Sequence, residues 1–291
     1  MNTVTYMYTI GPVNIDVHYY GILMKQEPKQ VLEFRRNQNK EANLVCNVRV
    51  YNGDPTSVEE NISTVLFVDD SGIKISRSNN FIIFEYEIDE IGYIKKMKYD
   101  LKNDICDIYV ISNEISQLAP HLLETTQMQF VLMQYLQNKK GFLLHSSAID
   151  IGNDEAYCFT GYSGAGKSTI SHLFAQEGYR IITDETCIIW IEKDEVFVSG
   201  TPWKGSETFY FNKKICRLKK VFVIGHGQNN TYKRMALKPA VDRILKQTFP
   251  HFWDMASIRK MAFSVVSVLS HIEVGEYLFL PDSSAVFELM K

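Results

Sequence analysis

Short apolar runs alternate with turn-forming clusters along the first 112 residues. Stretches rich in Val, Ile, Phe and Tyr predict strands at 6–10, 44–51, 64–68, 81–88 and 105–111. Clusters of Gly, Asn, Asp and Pro separate these stretches. Among them, Asp70-Ser71-Gly72 is typical of a tight turn, because glycine readily adopts the positive φ that such turns require. The pattern predicts a β-rich N-terminal domain over 1–112, built from short antiparallel strands and hairpins.

A helical period follows at about residue 113. Residues 116–137 contain no glycine, and their apolar positions recur with the spacing of a helix rather than a strand. These positions are Leu118, Leu122, Phe130, Leu132, Met133 and Leu136. The next four residues, Asn138-Lys139-Lys140-Gly141, are typical of a helix end, with cations in the last turn followed by glycine. The pattern predicts a linking helix within 113–140.

From Gly141 onward, strand and helix patterns alternate, which is typical of α/β proteins. Strands are predicted at 142–151, 157–160, 180–183, 188–192, 195–198 and 221–225. Helices are predicted at 167–176, 241–247 and 257–269. The sequence therefore predicts an α/β domain over 141–291.

Composition and charge exclude several classes of protein. With 45% hydrophobic and 22% charged residues, the chain is neither wholly disordered nor fibrous. Its net charge of −3 lacks the basic excess of a nucleic-acid-binding protein. Apolar stretches such as 261–269 fall far short of the ~20 residues that span a bilayer. We therefore expect no nucleic-acid partner and no membrane partner.

The cysteines and the N-terminus bear on location. The 5 cysteines form no C-x-x-C pair, and most of them lie in apolar runs, where a reduced cysteine behaves as a small hydrophobic residue. The first residues carry neither a basic region nor a continuous apolar core, so they do not read as a secretory signal. We expect reduced thiols and a cytoplasmic location.

One segment carries a specific chemical pattern. Gly161-Tyr162-Ser163-Gly164-Ala165-Gly166-Lys167-Ser168-Thr169 matches G-x-x-x-x-G-K-[ST], and we call residues 161–169 the phosphate loop. Its glycines let successive backbone N–H groups point into one concavity, at the positive end of the helix that follows. We expect Lys167 to reach the β and γ phosphates of ATP and Ser168 to bind Mg²⁺. The alternative to a nucleotide-binding loop is a glycine-rich turn that binds no ligand.

The surrounding residues resemble a known family. Leu144-His145-Ser146-Ser147-Ala148, the phosphate loop and Gly178-Tyr179-Arg180-Ile181-Ile182-Thr183-Asp184-Glu185 are similar to the catalytic domain of HPr kinase/phosphorylase and its relatives, which include kinases of lasso-peptide biosynthesis clusters. The resemblance covers about 141–198 and extends more loosely through 200–205. It implies, for 141–291, an α/β P-loop kinase domain of the HPr kinase/PEP carboxykinase type, preceded by the β-rich domain and the linking helix.

The resemblance also implies roles for single residues. Lys167 and Ser168 match the phosphate-loop lysine and the metal-binding serine. Asp184 matches the first of two adjacent aspartates, whereas Glu185 replaces the second, which is a departure from the family pattern. One of this acidic pair acts as the base towards the acceptor hydroxyl and the other helps to bind metal. His145 matches a histidine that lies near the acidic pair and can orient or relay a proton.

The residues themselves leave alternatives open at these positions. The predicted strand 180–183 ends in a carboxylate, where α/β sheets place ligands and where Mg²⁺ would find hard oxygen donors. The phosphate loop upstream favours this interpretation, and the alternative is that Asp184 and Glu185 form a solvated turn. His145 could be an ordinary half-buried histidine. The other histidines, including His172, His226 and His251, are expected to be surface or core residues.

Three further features have two interpretations each. The loop Thr201-Pro202-Trp203-Lys204-Gly205-Ser206 presents Lys204 and Ser206 to phosphate or acceptor, or is a turn with a packed Trp. A basic cluster is either a solvated face or an acceptor-binding patch; its members are Lys213, Lys214, Arg217, Lys219 and Lys220. The tyrosines of the first domain form strand core or line a peptide groove; these are Tyr6, Tyr8, Tyr19 and Tyr20.

Together these features predict an ATP- and Mg²⁺-dependent kinase whose acceptor is a serine hydroxyl of a peptide or small protein. Asp184, His145 and Lys167 are the predicted catalytic residues, and Ser168, Asp184 and Glu185 the predicted metal ligands. The alternatives are a small-metabolite kinase and a nucleotide-binding regulatory protein with little catalysis, and a PEP carboxykinase-type enzyme ranks below them. No arginine-rich downstream signature is identified, so we expect no phosphorylase activity. The sequence leaves a homo-oligomer open.

Overall fold

The computed structural model describes residues 3–23, 27–36, 40–51, 63–70, 72–86, 94–113, 121–203 and 212–291. The chain divides into two compact units, Met1–Tyr135 with Phe252–Met255, and Leu136–His251 with Ala256–Lys291. The protein is a mixed α/β chain with two eight-stranded sheets. None of the described helices is long and apolar enough to cross a bilayer.

The first unit contains one sheet with the strand order β1-β2-β3-β8-β7-β6-β5-β4. Its strands are β1 Thr3–Ile10, β2 Val13–Tyr20, β3 Leu44–Val50, β4 Thr64–Val68, β5 Ile73–Ser78, β6 Phe81–Tyr86, β7 Ile94–Asp100 and β8 Ile105–Val110. The short helix α1 Lys29–Leu32 lies between β2 and β3, and a 3₁₀ turn, Leu122–Glu124, precedes helix α2 Thr126–Gln137.

The expectation of purely antiparallel strands is wrong at the centre of this sheet. β3 runs parallel to both β2 and β8, while β4 to β8 form an antiparallel meander. The connection from β2 to β3 carries α1 and returns the chain to the end of the sheet at which β2 began, which is the crossover that a parallel pair requires. Loop composition alone does not reveal such a crossover.

Three strands of this unit, β2, β5 and β7, are absent from the sequence prediction. In β2, buried Val13, Ile15, Val17 and Tyr19 alternate with half-exposed residues, and β7 carries three lysines among its apolar positions. In β2 the signal is alternation rather than a continuous apolar run, and in β5 and β7 polar residues interrupt the apolar positions.

The described part of the predicted linking helix is α2. The α-helix starts at Thr126, after a 3₁₀ turn in which the N–H of Leu123 donates to Nδ1 of His121, 3.2 Å away. The predicted start near Ser116 lies in 114–120, outside the described residues.

Tyrosines of the first unit are mainly core residues, as one interpretation predicted. Tyr8 and Tyr19 are fully buried, whereas Tyr6 and Tyr20 are half-buried. The Arg35 guanidinium lies 4.2 Å from the ring centre of Tyr6. Of the predicted turn at 70–72, Ser71 lies outside the described residues; Gly72 has φ +81° and its N–H donates to the Asp69 carbonyl.

The second unit holds the other sheet, in the order β10-β9-β12-β13-β14-β16-β15, with β11 paired to β9. Its strands are β9 Gly141–Gly152, β10 Glu155–Thr160, β11 Arg180–Thr183, β12 Thr186–Glu192, β13 Glu195–Gly200, β14 Ile215–His226, β15 Thr231–Arg234 and β16 Glu273–Phe279. Its helices are α3 Lys167–Gln176, α4 Leu237–Leu245, α5 Met255–Leu269 and α6 Ser284–Leu289.

Three elements of this unit, β15, β16 and α6, are absent from the sequence prediction, and β14 is much longer than the predicted 221–225. The first half of β14 alternates buried and exposed residues and carries lysines and arginine outward, so only its second half reads as an apolar run. β15 is an exposed edge strand without an apolar face.

Parallel pairing in this sheet creates the edge at which the site forms. β14 runs parallel to β10 on one side and to β16 on the other. Both faces of these strands are covered: Phe159 and Phe222 pack with α3, and Val221 and Val223 pack with α5. Because parallel strands end on the same side, the segments after β10, β14 and β16 meet at one edge, which is where α/β sheets bind ligands.

Candidate functional site

The phosphate loop connects the end of β10 to the start of α3. Gly164 and Gly166 have φ angles of +80° and +99°, in the left-handed region that favours glycine. A Cβ on Gly161 would lie 2.9 Å from the Ala165 Cβ, and one on Gly166 would lie 2.8 Å from Cζ of buried Phe279. The glycines therefore allow both the backbone path and its close approach to β16.

Lys167, the first residue of α3, folds back over the loop. Its Nζ donates to the carbonyl oxygens of Gly161, at 3.0 Å, and Tyr162, at 3.4 Å, and the side chain is buried. Burial lowers the pKa of Lys167, while the nearby negative charge of Glu185 acts in the opposite direction and raises it. The ammonium group is thus held at the loop, where the charge of Glu185 acts on it.

The remaining loop residues form its rim. Ser163 and Thr169 are exposed, and Ala165 and Ser168 are half-buried. The N–H of Ala165 donates to the Tyr162 carbonyl, 3.0 Å away, which closes a tight turn inside the loop. A loop of this geometry, followed by a helix N-terminus, can present backbone N–H groups to an anion.

The acidic pair follows β11. Asp184 is buried and Glu185 is half-exposed. The N–H of Glu185 donates to Oγ1 of Thr183, at 3.4 Å, and its carbonyl accepts the Ser146 N–H, at 3.1 Å. The solvated-turn alternative therefore does not describe Asp184, whose side chain lies inside the protein.

His145, on β9, contacts Glu185 twice. Its Nδ1 donates to the Glu185 carbonyl oxygen at 2.8 Å and lies 3.4 Å from Glu185 Oε1. Since a carbonyl can only accept, Nδ1 carries the proton, and the Nε2 of a neutral ring keeps its lone pair. The His145 carbonyl accepts from Oγ1 of Thr160, the last residue of β10, at 2.8 Å. Hydrogen bonds thus connect the start of the loop to the acidic pair.

The available donors suit a hard cation. Ser168 offers a hydroxyl, and Asp184 and Glu185 offer carboxylates. Within the described residues, no group of three or more His, Cys, Asp or Glu side chains could hold a metal by itself. Mg²⁺ in phosphoryl-transfer sites needs only one or two carboxylates, because phosphate oxygens and water complete its octahedron. The residues present therefore fit magnesium bound together with a polyphosphate.

His226, left as an ordinary residue by the sequence analysis, reaches the phosphate loop. It is the last residue of β14, and its Nε2 donates to the Gly164 carbonyl at 2.8 Å. The two residues are 62 positions apart, so only the parallel pairing of β10 and β14 could have indicated their proximity. The remaining histidines fit the ordinary interpretation: His172 is exposed on α3, and His251 is buried beside Gln137.

Members of the basic cluster are ion-paired, which favours the solvated-face interpretation. Their partners are Asp150 and Asp154 for Lys214, Glu155 and Glu195 for Arg217, Glu155 for Lys219 and Glu273 for Lys220. Lys214 lies just before β14, and the other paired cations lie in its first half. The opposite end of β14, at His226, is the part that contacts the phosphate loop. Neighbouring carboxylates therefore offset the positive charge of these four cations.

The loop at 201–206 is only partly described. Thr201 Oγ1 donates to the Thr186 carbonyl at 2.8 Å, and Trp203 is buried, which agrees with the packed-turn interpretation. Lys204, Gly205 and Ser206 lie outside the described residues.

Comparison with known proteins adds little to this geometry. No protein-family model matches the chain, and no curated protein matches it in sequence. Among solved structures, it is similar to the Hpr(Ser) kinase/phosphatase from Coxiella burnetii, with 11% sequence identity and a TM-score of 0.29 over 51% of this chain and 91% of that chain. A likeness at that score carries no functional argument, so the function is argued from the residues of the site.

Proposed function

We propose that this chain is an ATP- and Mg²⁺-dependent kinase that transfers the γ-phosphoryl group to a hydroxyl, namely a serine of a peptide or small protein. The observation that carries the proposal is the buried ammonium of Lys167, held over a glycine-rich loop and acted on by the Glu185 charge. A buried cation needs compensating negative charge, and a polyphosphate at the loop would supply it.

The residues divide the work of an in-line transfer. Backbone N–H groups of the phosphate loop and Lys167 bind the phosphates of ATP, which is a substrate, and Ser168 with the acidic pair binds Mg²⁺. The metal, when bound, offsets the negative charge that develops on the transferring group. The serine oxygen forms the new bond to the γ phosphorus, the bond to the ADP oxygen breaks, and Asp184 receives the serine proton with help from His145.

Acceptor recognition is assigned to the N-terminal β-rich region. This region carries no phosphate-binding or catalytic motif, and we expect it to select the peptide or protein. A specific observation supports a second candidate, a nucleotide-binding regulatory protein: Glu185 stands where the resembling family has a second aspartate. A longer side chain at that position changes the reach of its carboxylate towards metal or acceptor.

Intact-mass spectrometry tests the proposal. The full chain, Mg-ATP and serine-containing peptides encoded by neighbouring genes should yield a peptide heavier by one phosphoryl group. Lys167→Ala and Asp184→Asn should remove this gain, whereas Lys219→Ala, which changes an exposed ion-paired cation in the first half of β14, should keep it. A gain that survives both site changes contradicts the site assignment. Turnover of free serine or a sugar without peptide would support a metabolite kinase, and binding without any turnover would support the regulatory protein.

A further inference from the structure

The His226 side chain lies beside Gly164 and Gly166 of the phosphate loop. In the β14–β16 register it lies opposite Phe279, and the two ring centres are 6.4 Å apart. The His226 ring is exposed, yet its Nε2 donates to the Gly164 carbonyl at 2.8 Å. A Cβ built on Gly166 would lie 3.7 Å from His226 Cε1, so the ring stands beside both glycines.

Gly164 is the loop position that most needs such a contact. It has φ +80°, and a Cβ placed on it would meet nothing within 4 Å, so no atom packs against it on that side. Glycine has more backbone freedom to lose than any other residue, which makes an unrestrained glycine costly to order around a ligand. A hydrogen bond to its carbonyl removes part of that freedom before the ligand arrives.

The bond also fixes a neighbouring donor. The peptide unit is planar and trans, so the Gly164 carbonyl and the Ala165 N–H point in opposite directions. With the carbonyl directed to His226, the Ala165 N–H is directed to the opposite side, where it meets the Tyr162 carbonyl at 3.0 Å. His226 thereby sets the orientation of one of the loop's N–H groups.

We propose that His226 is a positioning residue that preorganises the phosphate loop through its Nε2–H bond to Gly164. The inference rests on the proposed function for the ligand, a polyphosphate, but not for the bond itself. This role depends on the Nε2–H donor of His226 and not on its aromatic ring. His226→Phe keeps a flat ring against Phe279 and removes the donor, while His226→Gln returns an N–H at about the same reach.

The experiment uses the full chain and compares these variants with His271→Phe. His271 is also an exposed histidine whose ring donates to a backbone carbonyl at 2.8 Å, that of Ser267, but it lies at the end of α5. Calorimetry with Mg-ATP and with magnesium tripolyphosphate, which lacks the nucleoside, separates the contribution of the phosphates to the binding affinity from that of the nucleoside. Hydrogen exchange of the 161–166 amides is measured without any ligand.

His226→Phe should weaken both ligands about fivefold, the size of one lost hydrogen bond, and should speed exchange of the loop amides. His226→Gln should restore both to within about twofold, and His271→Phe should change neither. At saturating Mg-ATP the turnover should be retained, so that KM rises and kcat does not. Equal loss in His226→Gln and His226→Phe, or unchanged exchange and binding in His226→Phe, would overturn the proposal. Wild-type protein that binds neither ligand would instead overturn the proposed function, and the exchange rates would still decide whether His226 anchors the loop.

Discussion

Lys167 is a lysine whose buried position disfavours the charged form of its side chain. Its side chain is buried, and among the described residues its Nζ contacts backbone carbonyls rather than a carboxylate oxygen at ion-pair distance. Burial accordingly lowers the pKa of Lys167 below that of an exposed lysine, and the Glu185 charge offsets this only in part. The arrangement costs stability in the absence of ligand and is explained if an anion is bound there.

This cost predicts a pH dependence of stability. Because the folded-state pKa of Lys167 is lowered, the unfolded chain binds more protons in the alkaline range, and the stability contributed by this group rises as pH increases through the folded pKa towards the unfolded one. The unfolding free energy of the wild type minus that of Lys167→Met should therefore increase as pH rises from neutrality to about 10. Urea unfolding at several pH values measures the difference, and a flat or falling difference would contradict the assignment.

Single residues of the site were predictable where chemistry is local in sequence. Lys167 and Ser168 follow from a contiguous motif whose spacing has a physical reason. His145 and Glu185 are 40 positions apart, and they were paired on the family resemblance rather than on any local pattern. His226 gave no signal, because its contact with Gly164 exists only once β14 lies beside β10.

At the scale of elements, the turns before and after α3 each contain a glycine with a positive φ, and the same substitution can be compared at the two positions. Gly166 precedes α3 as its N-cap with φ +99°, and Gly178 follows the end of α3 with φ +87°. At Gly178, N–H groups of the chain donate back to the carbonyls of Ala175 and Phe174, as in a common helix C-cap. A Cβ has open space at Gly178, whereas at Gly166 it meets Phe279.

Gly178→Ala should therefore cost only the strain of the left-handed backbone, about 1 kcal/mol, and leave nucleotide binding intact. Gly166→Ala adds an overlap with a buried ring and should cost about 1–3 kcal/mol more, with nucleotide binding lost. Thermal unfolding and nucleotide titration of the two variants provide the check. Equal destabilisation of both variants would show that the loop does not press against β16 as described.

Elements themselves were predictable to the extent that each carries its own pattern. The run at 157–160 and the helix 167–176 were found because an apolar strand and a helical period flank the motif. β15 and β2 were missed because an exposed edge strand and an alternating strand lack an apolar run. The parallel β2–β3–β8 arrangement depends on pairing between distant segments, which no local pattern specifies.

For the whole molecule, charge is nearly balanced, with 31 basic and 34 acidic residues. The described cations of the basic cluster are largely paired with carboxylates, so they contribute little net field at the site. Under the proposed function, we therefore expect the attraction for a triphosphate to be local and to come from the phosphate loop, the N-terminus of α3 and Lys167.

Isothermal titration of the full chain with Mg-ATP measures this local attraction, with Lys167→Ala as the paired variant and Lys219→Ala as the control for loss of a surface cation. We expect a saturable heat with one site per chain, retained in Lys219→Ala and absent in Lys167→Ala. No heat from wild-type protein at millimolar Mg-ATP, or the same heat in Lys167→Ala, would contradict it.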